Sequence, residues 1–220
     1  MTIRELVRPL PGVRQISLLR QRMAYTDSAQ FWEDNYAQGN TSGNGSYGAL
    51  AQRKGRFINE LVAARSVRSV IEFGCGDGNQ LSLADYPSYV GLDVSRSAIS
   101  LCQRRFADDP DKSFFLYDGA HFTDRAGIFS AELALSLDVL YHLTEDRVFE
   151  TYLGHLFSAG QRLVLVYSTN AEFRGSAPHV RHRHFTPWIE AHCPGWRLAK
   201  VTKGPNTEQA RADFFLYERS

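Results

Sequence analysis

The stretch VIEFGCGDGNQ, Val70 to Gln80, decides how this chain is read. A short apolar run carrying one acid, Glu72, leads directly into glycine at every second position: Gly74, Gly76 and Gly78. Glycine in such a run serves a tight turn or the close approach of something to the backbone. In doubly wound α/β domains ligands sit outside the carboxyl ends of the strands, where this loop falls.

Working outward, apolar runs and amphipathic segments alternate. SYVGLDV reads as a second strand, SFFLYD as a third, ELALSLD as a fourth and QRLVLVYS as a fifth. Between them SRSAISLCQRRFADD reads as a helix with Ser95 as N-cap, and TEDRVFETYLGHLF as another, begun at Thr144. Strands apolar on both faces and separated by helices imply a parallel sheet covered on both sides. Two further strand-like runs, WRLAKVTKG and RADFFLYER, have no helix between them and read as a hairpin on one edge. The expected fold is a doubly wound α/β, Rossmann-like domain. Its sheet has seven strands, mostly parallel, with a C-terminal antiparallel hairpin.

Upstream, ALAQRKGRFINELVAAR predicts an amphipathic helix with Leu50, Phe57, Ile58 and Leu61 on its buried face. Before it, Gly39–Gly48 has the composition of a loop, and RQISLLRQRMAY predicts a helix with Ile16, Leu19 and Met23 on one side. We expect residues 1–48 to form a helical cap with a glycine-rich lid, and residues 49–220 the main domain.

The 220 residues carry a net charge of +1, which argues against a dedicated nucleic-acid binder, so nucleic acid is an unlikely partner on this count. Three scattered cysteines, Cys75, Cys102 and Cys193, make no disulfide or zinc framework and suit a reducing cytoplasm. No run approaches the roughly 20 apolar residues of a membrane span, and the N-terminus lacks a secretory apolar core. A homodimer is compatible with these bounds.

Asp93 ends the second strand about 20 residues after Gly74, the place of an acid that accepts ribose hydroxyls. Asp118 closes the third strand, where a turn-capping role competes with ligand binding. A dinucleotide fingerprint would place its third glycine where Asn79 stands. With this set, VIEFGCGDG, VGLDVS, YDG and LALSLDVLYHL resemble the four ordered motifs of the class I S-adenosylmethionine-dependent methyltransferases, across about Val67–Val166.

That resemblance implies S-adenosylmethionine as cofactor. Gly74, Cys75 and Gly76 would let the backbone approach its methionine part, with Cys75 packing the loop, and Glu72 would order that loop or take the amino group. Asp93 would hold the ribose, Val94 would pack on the adenine, and Asp118 and Gly119 would contact its edge. Leu137 would run along the methionine portion, and Lys54 would reach its carboxylate. An acid-rimmed pocket suits a ligand with a sulfonium and an ammonium.

Methyl transfer needs an aligned nucleophile and a group to take its proton. His142 is the first candidate base, acting near neutral pH, and Asp138 the second. Each could equally be structural. The segment APHVRHRHFTPW offers His179, Arg181, His182 and His184 as a substrate lip, as a metal site or as plain edge structure; no metal ligand is assigned. Tyr36 and Tyr47 could wall the substrate pocket beneath a lid that excludes water.

No Pro-Pro-Tyr run follows the fourth strand and no Pro-Cys nucleophile is present, so amine and cytosine methylation of nucleic acid lose their key motifs. The expected function is methyl transfer to oxygen or nitrogen of a small molecule or sugar, in secondary metabolism or glycan decoration. An RNA or protein methyltransferase and a non-catalytic cofactor-binding domain are the alternatives.

Overall fold

The computed structural model describes residues 25–175, 177–205 and 211–220. The expected helix around Ile16–Met23 lies outside the described residues.

In chain order the strands are β1 (Val70–Phe73), β2 (Tyr89–Asp93), β3 (Lys112–Leu116), β4 (Ala131–Leu137), β5 (Gly160–Ser168), β6 (Phe173–Arg174), β7 (Arg181–His182), β8 (Trp196–Thr202) and β9 (Asp213–Arg219). The helices are α1 (Ser28–Ala37), α2 (Gly48–Ala64), α3 (Arg96–Arg105), α4 (Asp146–Ala159) and α5 (Thr186–His192). Seven strands form one sheet in the order β3-β2-β1-β4-β5-β9-β8, and β6 and β7 make a small antiparallel pair. β1 to β5 pair in parallel, while β9 runs antiparallel between β5 and β8. The expected sheet and its edge hairpin are therefore present.

The apolar runs explain the centre. β1 is buried along its whole length, and Leu133, Ala134 and Leu135 of β4 are fully buried. One side of the sheet packs Ile71, Phe73, Leu153, Leu156 and Phe185 under α4 and α5; the other packs Ile58, Val70, Tyr89, Ile99 and Leu163 under α2 and α3. Each fully buried leucine or isoleucine contributes about 1.5–3 kcal/mol relative to exposure. Ser95 caps α3 by accepting from the Ala98 amide at 3.0 Å.

One local expectation is corrected. The buried stripe of α2 is Ala51, Lys54, Gly55, Ile58 and Val62, and Leu50, Phe57 and Leu61 flank it half-buried. Gly55 explains the rotation: a Cβ there would lie 3.1 Å from Leu83, so this face of the helix packs directly on the following loop. After the glycine loop the chain makes a single 3-10 turn, Leu81–Leu83.

The chain leaves β1 for β2 and β3 on one side, then returns to β4 on the other. The switch point thus lies between β1 and β4, and a crevice opens beyond their carboxyl ends.

Candidate active site

A cavity of about 980 Å³ fills that crevice. Glu72, Gly74, Cys75, Gly76, Asp93, Val94, Asp118, Gly119, Leu137, Asp138 and His142 all line it, as does Tyr36 from the strap above. Four strand ends far apart in sequence converge because parallel strands put their carboxyl ends on the same side.

The glycine loop has the shape its composition requires. Gly74 sits at φ 86° and a Cβ there would meet Val139 at 2.5 Å; Gly76 sits at φ 57° and a Cβ would meet the Ser42 Oγ at 2.4 Å. Asp93 fastens this loop to β2: it accepts from the Gly76 amide at 2.8 Å and the Ser95 amide at 2.9 Å. Burial still pushes Asp93 up to about 6, against the pull of those amides. Glu72 accepts from the Tyr89 hydroxyl at 2.6 Å, and burial pushes it up to about 7. Asp118 is a turn residue on the rim, bonded to the Ala120 amide at 3.0 Å and to His121 at 2.8 Å.

A strap from α1 through Tyr47 crosses the cavity. At one end Glu145 accepts from the Ser28 amide at 2.8 Å and hydroxyl at 2.9 Å. Further along, Glu33 takes the Ser95 and Ser97 hydroxyls, each at 2.7 Å, at the start of α3. Beyond α1, the Ser42 amide donates to Asp77 at 2.9 Å and the Asp77 amide to the Ser42 hydroxyl at 3.0 Å. Tyr47 also donates to Asp77, at 2.8 Å, so it braces the strap from outside the cavity. Because Gly76 lies directly under Ser42, Gly76→Ala is expected to destabilise the fold by about 1–2 kcal/mol from the left-handed backbone alone. Urea unfolding checks this; unchanged stability would count against the left-handed conformation of Gly76.

At the end of β4, Asp138 adopts φ 62°, a conformation aspartate tolerates better than most residues. One carboxylate oxygen pairs with the ammonium of buried Lys54, and the other accepts from Tyr141 at 2.7 Å. Two expectations change here. Lys54 does not line the cavity but holds Asp138. Asp138, with both oxygens engaged, is an ion-pair partner and not a free base.

His142 ends the following 3-10 turn and lines the cavity. Its Nδ1 lies 3.2 Å from the His179 carbonyl oxygen, which can only accept, so Nδ1 carries the proton and Nε2 offers a lone pair. Burial pushes His142 down to about 4, so it is neutral at pH 7. The expected titration near neutral pH is thereby corrected. Trp32 meets the ring edge-on at 4.8 Å, and His179 stacks parallel to it at 5.5 Å.

The segment after β5 supports this wall from behind. His179 stacks on Phe31 at 4.1 Å, Arg181 pairs with Asp146 at 2.7 Å, and His182 bonds Thr169 at 2.5 Å and stacks on Phe173 at 4.0 Å. His184 is exposed, and none of the four lines the cavity. Among the described residues no group of three or more His, Cys, Asp or Glu could hold a metal ion.

Sequence reasoning missed Glu33, Glu145 and Asp77 as anchors of the strap. Asp77 stands in the glycine loop and was visible there; nothing local to Glu33 or Glu145 marks its partner. Also missed were Tyr117 and His155, hydrogen-bonded at 2.8 Å on the cavity wall.

Electrostatically the cavity is one-sided. Asp27, Glu72, Asp93, Asp118, Asp138 and Glu145 line it against a single guanidinium, Arg147. Such a wall repels a pyrophosphate and attracts a cation.

A mostly parallel sheet with a switch-point crevice, a glycine loop and an acid at the next strand end is the arrangement in which doubly wound α/β folds place nucleotide ligands. No family model matches the chain. Among solved structures it resembles magnesium protoporphyrin IX methyltransferase from Synechocystis PCC 6803 with bound S-adenosylmethionine (17% identity, TM-score 0.65, 90% of this chain and 99% of that one). It also resembles the N-methyltransferase NodS from Bradyrhizobium japonicum WM9 in complex with S-adenosylhomocysteine (13% identity, TM-score 0.70, 88% and 99%). Among curated proteins, a small RNA 2'-O-methyltransferase from Arabidopsis thaliana is 25% identical over 135 residues, and one from Mus musculus is 25% identical over 168. The matches cover 56% and 68% of this chain but only 14% and 42% of those proteins, so the chain spans less than half of these relatives. In fold the chain is similar to S-adenosylmethionine-dependent methyltransferases, and its ordered strand-end motifs resemble those of the class I family.

One expectation is overturned by these relatives. Nucleic acid was set aside as a partner on net charge, yet the curated relatives carry the name of small-RNA enzymes. Net charge sums the whole surface and says nothing about a local binding face.

Among the described residues no helix is long and apolar enough to cross a membrane.

Proposed function

We propose that this chain is an S-adenosylmethionine-dependent methyltransferase acting on oxygen or nitrogen of an acceptor. The observation that carries the reading is the cavity at the switch point, walled by Glu72, Asp93 and Asp138 on three strand ends and nearly free of cations. Its residues fit the cofactor: positive-φ glycines allow close backbone approach, Glu72 faces an ammonium, and Asp93 accepts ribose hydroxyls. Bound there, the cofactor supplies an activated methyl group. The chain's own work is alignment and exclusion of water. Residues 25–48, the described part of the proposed cap and lid, act with Glu33, Ser42 and Tyr47 as latches over a methyltransferase domain of residues 49–220. Neutral His142 accepts the hydrogen of the acceptor's hydroxyl or amine through Nε2 and orients its lone pair along the line of transfer.

The acceptor we favour is a sugar-like hydroxyl or amine small enough to pass the Trp32–His142 wall. A second reading, the ribose 2'-hydroxyl of RNA, is favoured by the curated relatives, and it shares the same chemistry at the reacting oxygen. Transfer of labelled methyl to a short RNA and to a panel of sugars and amines separates the two.

Thermal unfolding tests the cofactor. At 100 times its dissociation constant, a ligand of the folded state stabilises by about 2.7 kcal/mol. S-adenosylmethionine and S-adenosylhomocysteine are expected to raise Tm, and NAD to leave it unchanged. A shift with NAD alone would overturn the reading.

A further inference from the structure

Arg183 is the one buried arginine among the described residues, 8% exposed, and it does not line the cavity. It follows β7 directly, and its guanidinium reaches back to the loop that carries His142. One terminal nitrogen donates to the Leu143 carbonyl; the other donates to the Thr144 carbonyl at 2.7 Å and to Asp146 at 3.0 Å. Those two carbonyls lie between the 3-10 turn Leu140–His142 and α4, outside both helical ladders, so their partner must come from elsewhere in the chain. Arg181 adds a longer bond to the Thr144 carbonyl, at 3.3 Å, and the Arg183 guanidinium lies 4.6 Å from the centre of the Phe149 ring.

We infer that Arg183 is a positioning residue for methyl transfer: its planar fork fixes the Leu143–Thr144 loop against residues 179–183 and so aims the His142 Nε2 into the cavity. The inference rests on the reading of His142 above. Two ties join the same two segments. The His142 Nδ1 lies 3.2 Å from the His179 carbonyl, and further along that segment Arg183 holds the residues next to His142. A slip of one segment past the other breaks both ties, and with the Nδ1 tie goes the tautomer that frees Nε2. The ion pair with Asp146 is secondary, because that side chain is 69% exposed and ion pairs in water contribute little. A lysine cannot replace the carbonyl bonds: an ammonium is a point charge, whereas a guanidinium spans two acceptors in one plane.

The test is read on the ring itself. Wild type, Arg183→Lys and Arg183→Met are prepared with isotopically labelled histidine, and the His142 ring nitrogens are assigned in the NMR spectrum by their absence in His142→Ala. At neutral pH wild type is expected to show Nδ1 protonated and Nε2 bare, and both variants to show the two tautomers mixed. Calorimetry is expected to give unchanged affinity for S-adenosylhomocysteine. Meanwhile kcat, measured on whichever RNA, sugar or amine accepts methyl in the panel above, is expected to fall about 10²-fold, the effect of misplacing a reacting group by ~1 Å.

An unchanged His142 tautomer in a folded variant overturns the inference. So does a wild-type kcat in Arg183→Lys, which would show that charge alone suffices. Loss of S-adenosylhomocysteine affinity in step with kcat overturns it too, since that marks a general loosening of the site. Arg183→Lys keeps a charge beside Phe149 and gives the reading if Arg183→Met does not fold. If His142→Ala retains wild-type kcat, the reading of His142 as proton acceptor falls instead, and the ring spectra still decide whether Arg183 fixes the loop.

Discussion

His142→Ala is expected to lower kcat by about 10²–10⁴, the usual contribution of a positioned proton acceptor, while leaving cofactor affinity nearly unchanged. The expectation follows from the tautomer. The His179 carbonyl takes the Nδ1 proton at 3.2 Å, and the ring is held between Trp32 and His179, so Nε2 is the positioned acceptor. Its pH dependence has a definite sign. Burial keeps the ring neutral down to about 4, so kcat in wild type shows no His142 limb between about pH 6 and 8. The stability that comes from burying the neutral ring is present above the ordinary histidine value and is lost as pH falls through about 4. A wild-type kcat for His142→Ala rules the residue out as the acceptor. A kcat that instead titrates near pH 6.5 in wild type and not in the variant corrects the burial argument.

Asp93→Ala is expected to weaken S-adenosylhomocysteine binding by about 1.5–3 kcal/mol, the scale of a hydrogen bond to a charged group. It also strands the Gly76 and Ser95 amides, which Asp93 accepts at 2.8 and 2.9 Å. Each unsatisfied buried amide costs about 1–3 kcal/mol, so the melting temperature falls as well. Titration calorimetry under conditions where the variant is folded separates the two effects. Unchanged affinity in the folded variant sinks the ribose role and leaves Asp93 as a fastener of the glycine loop.

The motif residues were legible because their signals are local. Strand β1 announces itself by a continuous apolar run, the loop after it by glycines, and β2 and β4 by runs that end in Asp93 and Asp138. The doubly wound order follows, since right-handed crossovers leave few other ways to place parallel strands. Asp118 was legible as a turn residue for the same reason.

What stayed hidden depends on pairs distant in sequence. Lys54 stands in an amphipathic helix, where a lysine ordinarily lies in water, and its burial depends on Asp138, 84 positions away. The histidines of His179–His184 advertise chemistry, yet their surroundings make them struts: Phe31 and Phe173 stack on two of them, and neighbouring Arg181 is spent on Asp146. Glu33 and Glu145 look like solvent-facing helix acids until the strap is laid across α3 and α4.

The sheet, the switch point and the acids at its strand ends could be read from residue order alone, because strand periodicity and glycine turns are short-range consequences of backbone geometry. Which of those groups are paired and which stay free emerged only once the chain was folded. Burial and opposite charges set ionisation, and both come from residues that the chain brings together after folding.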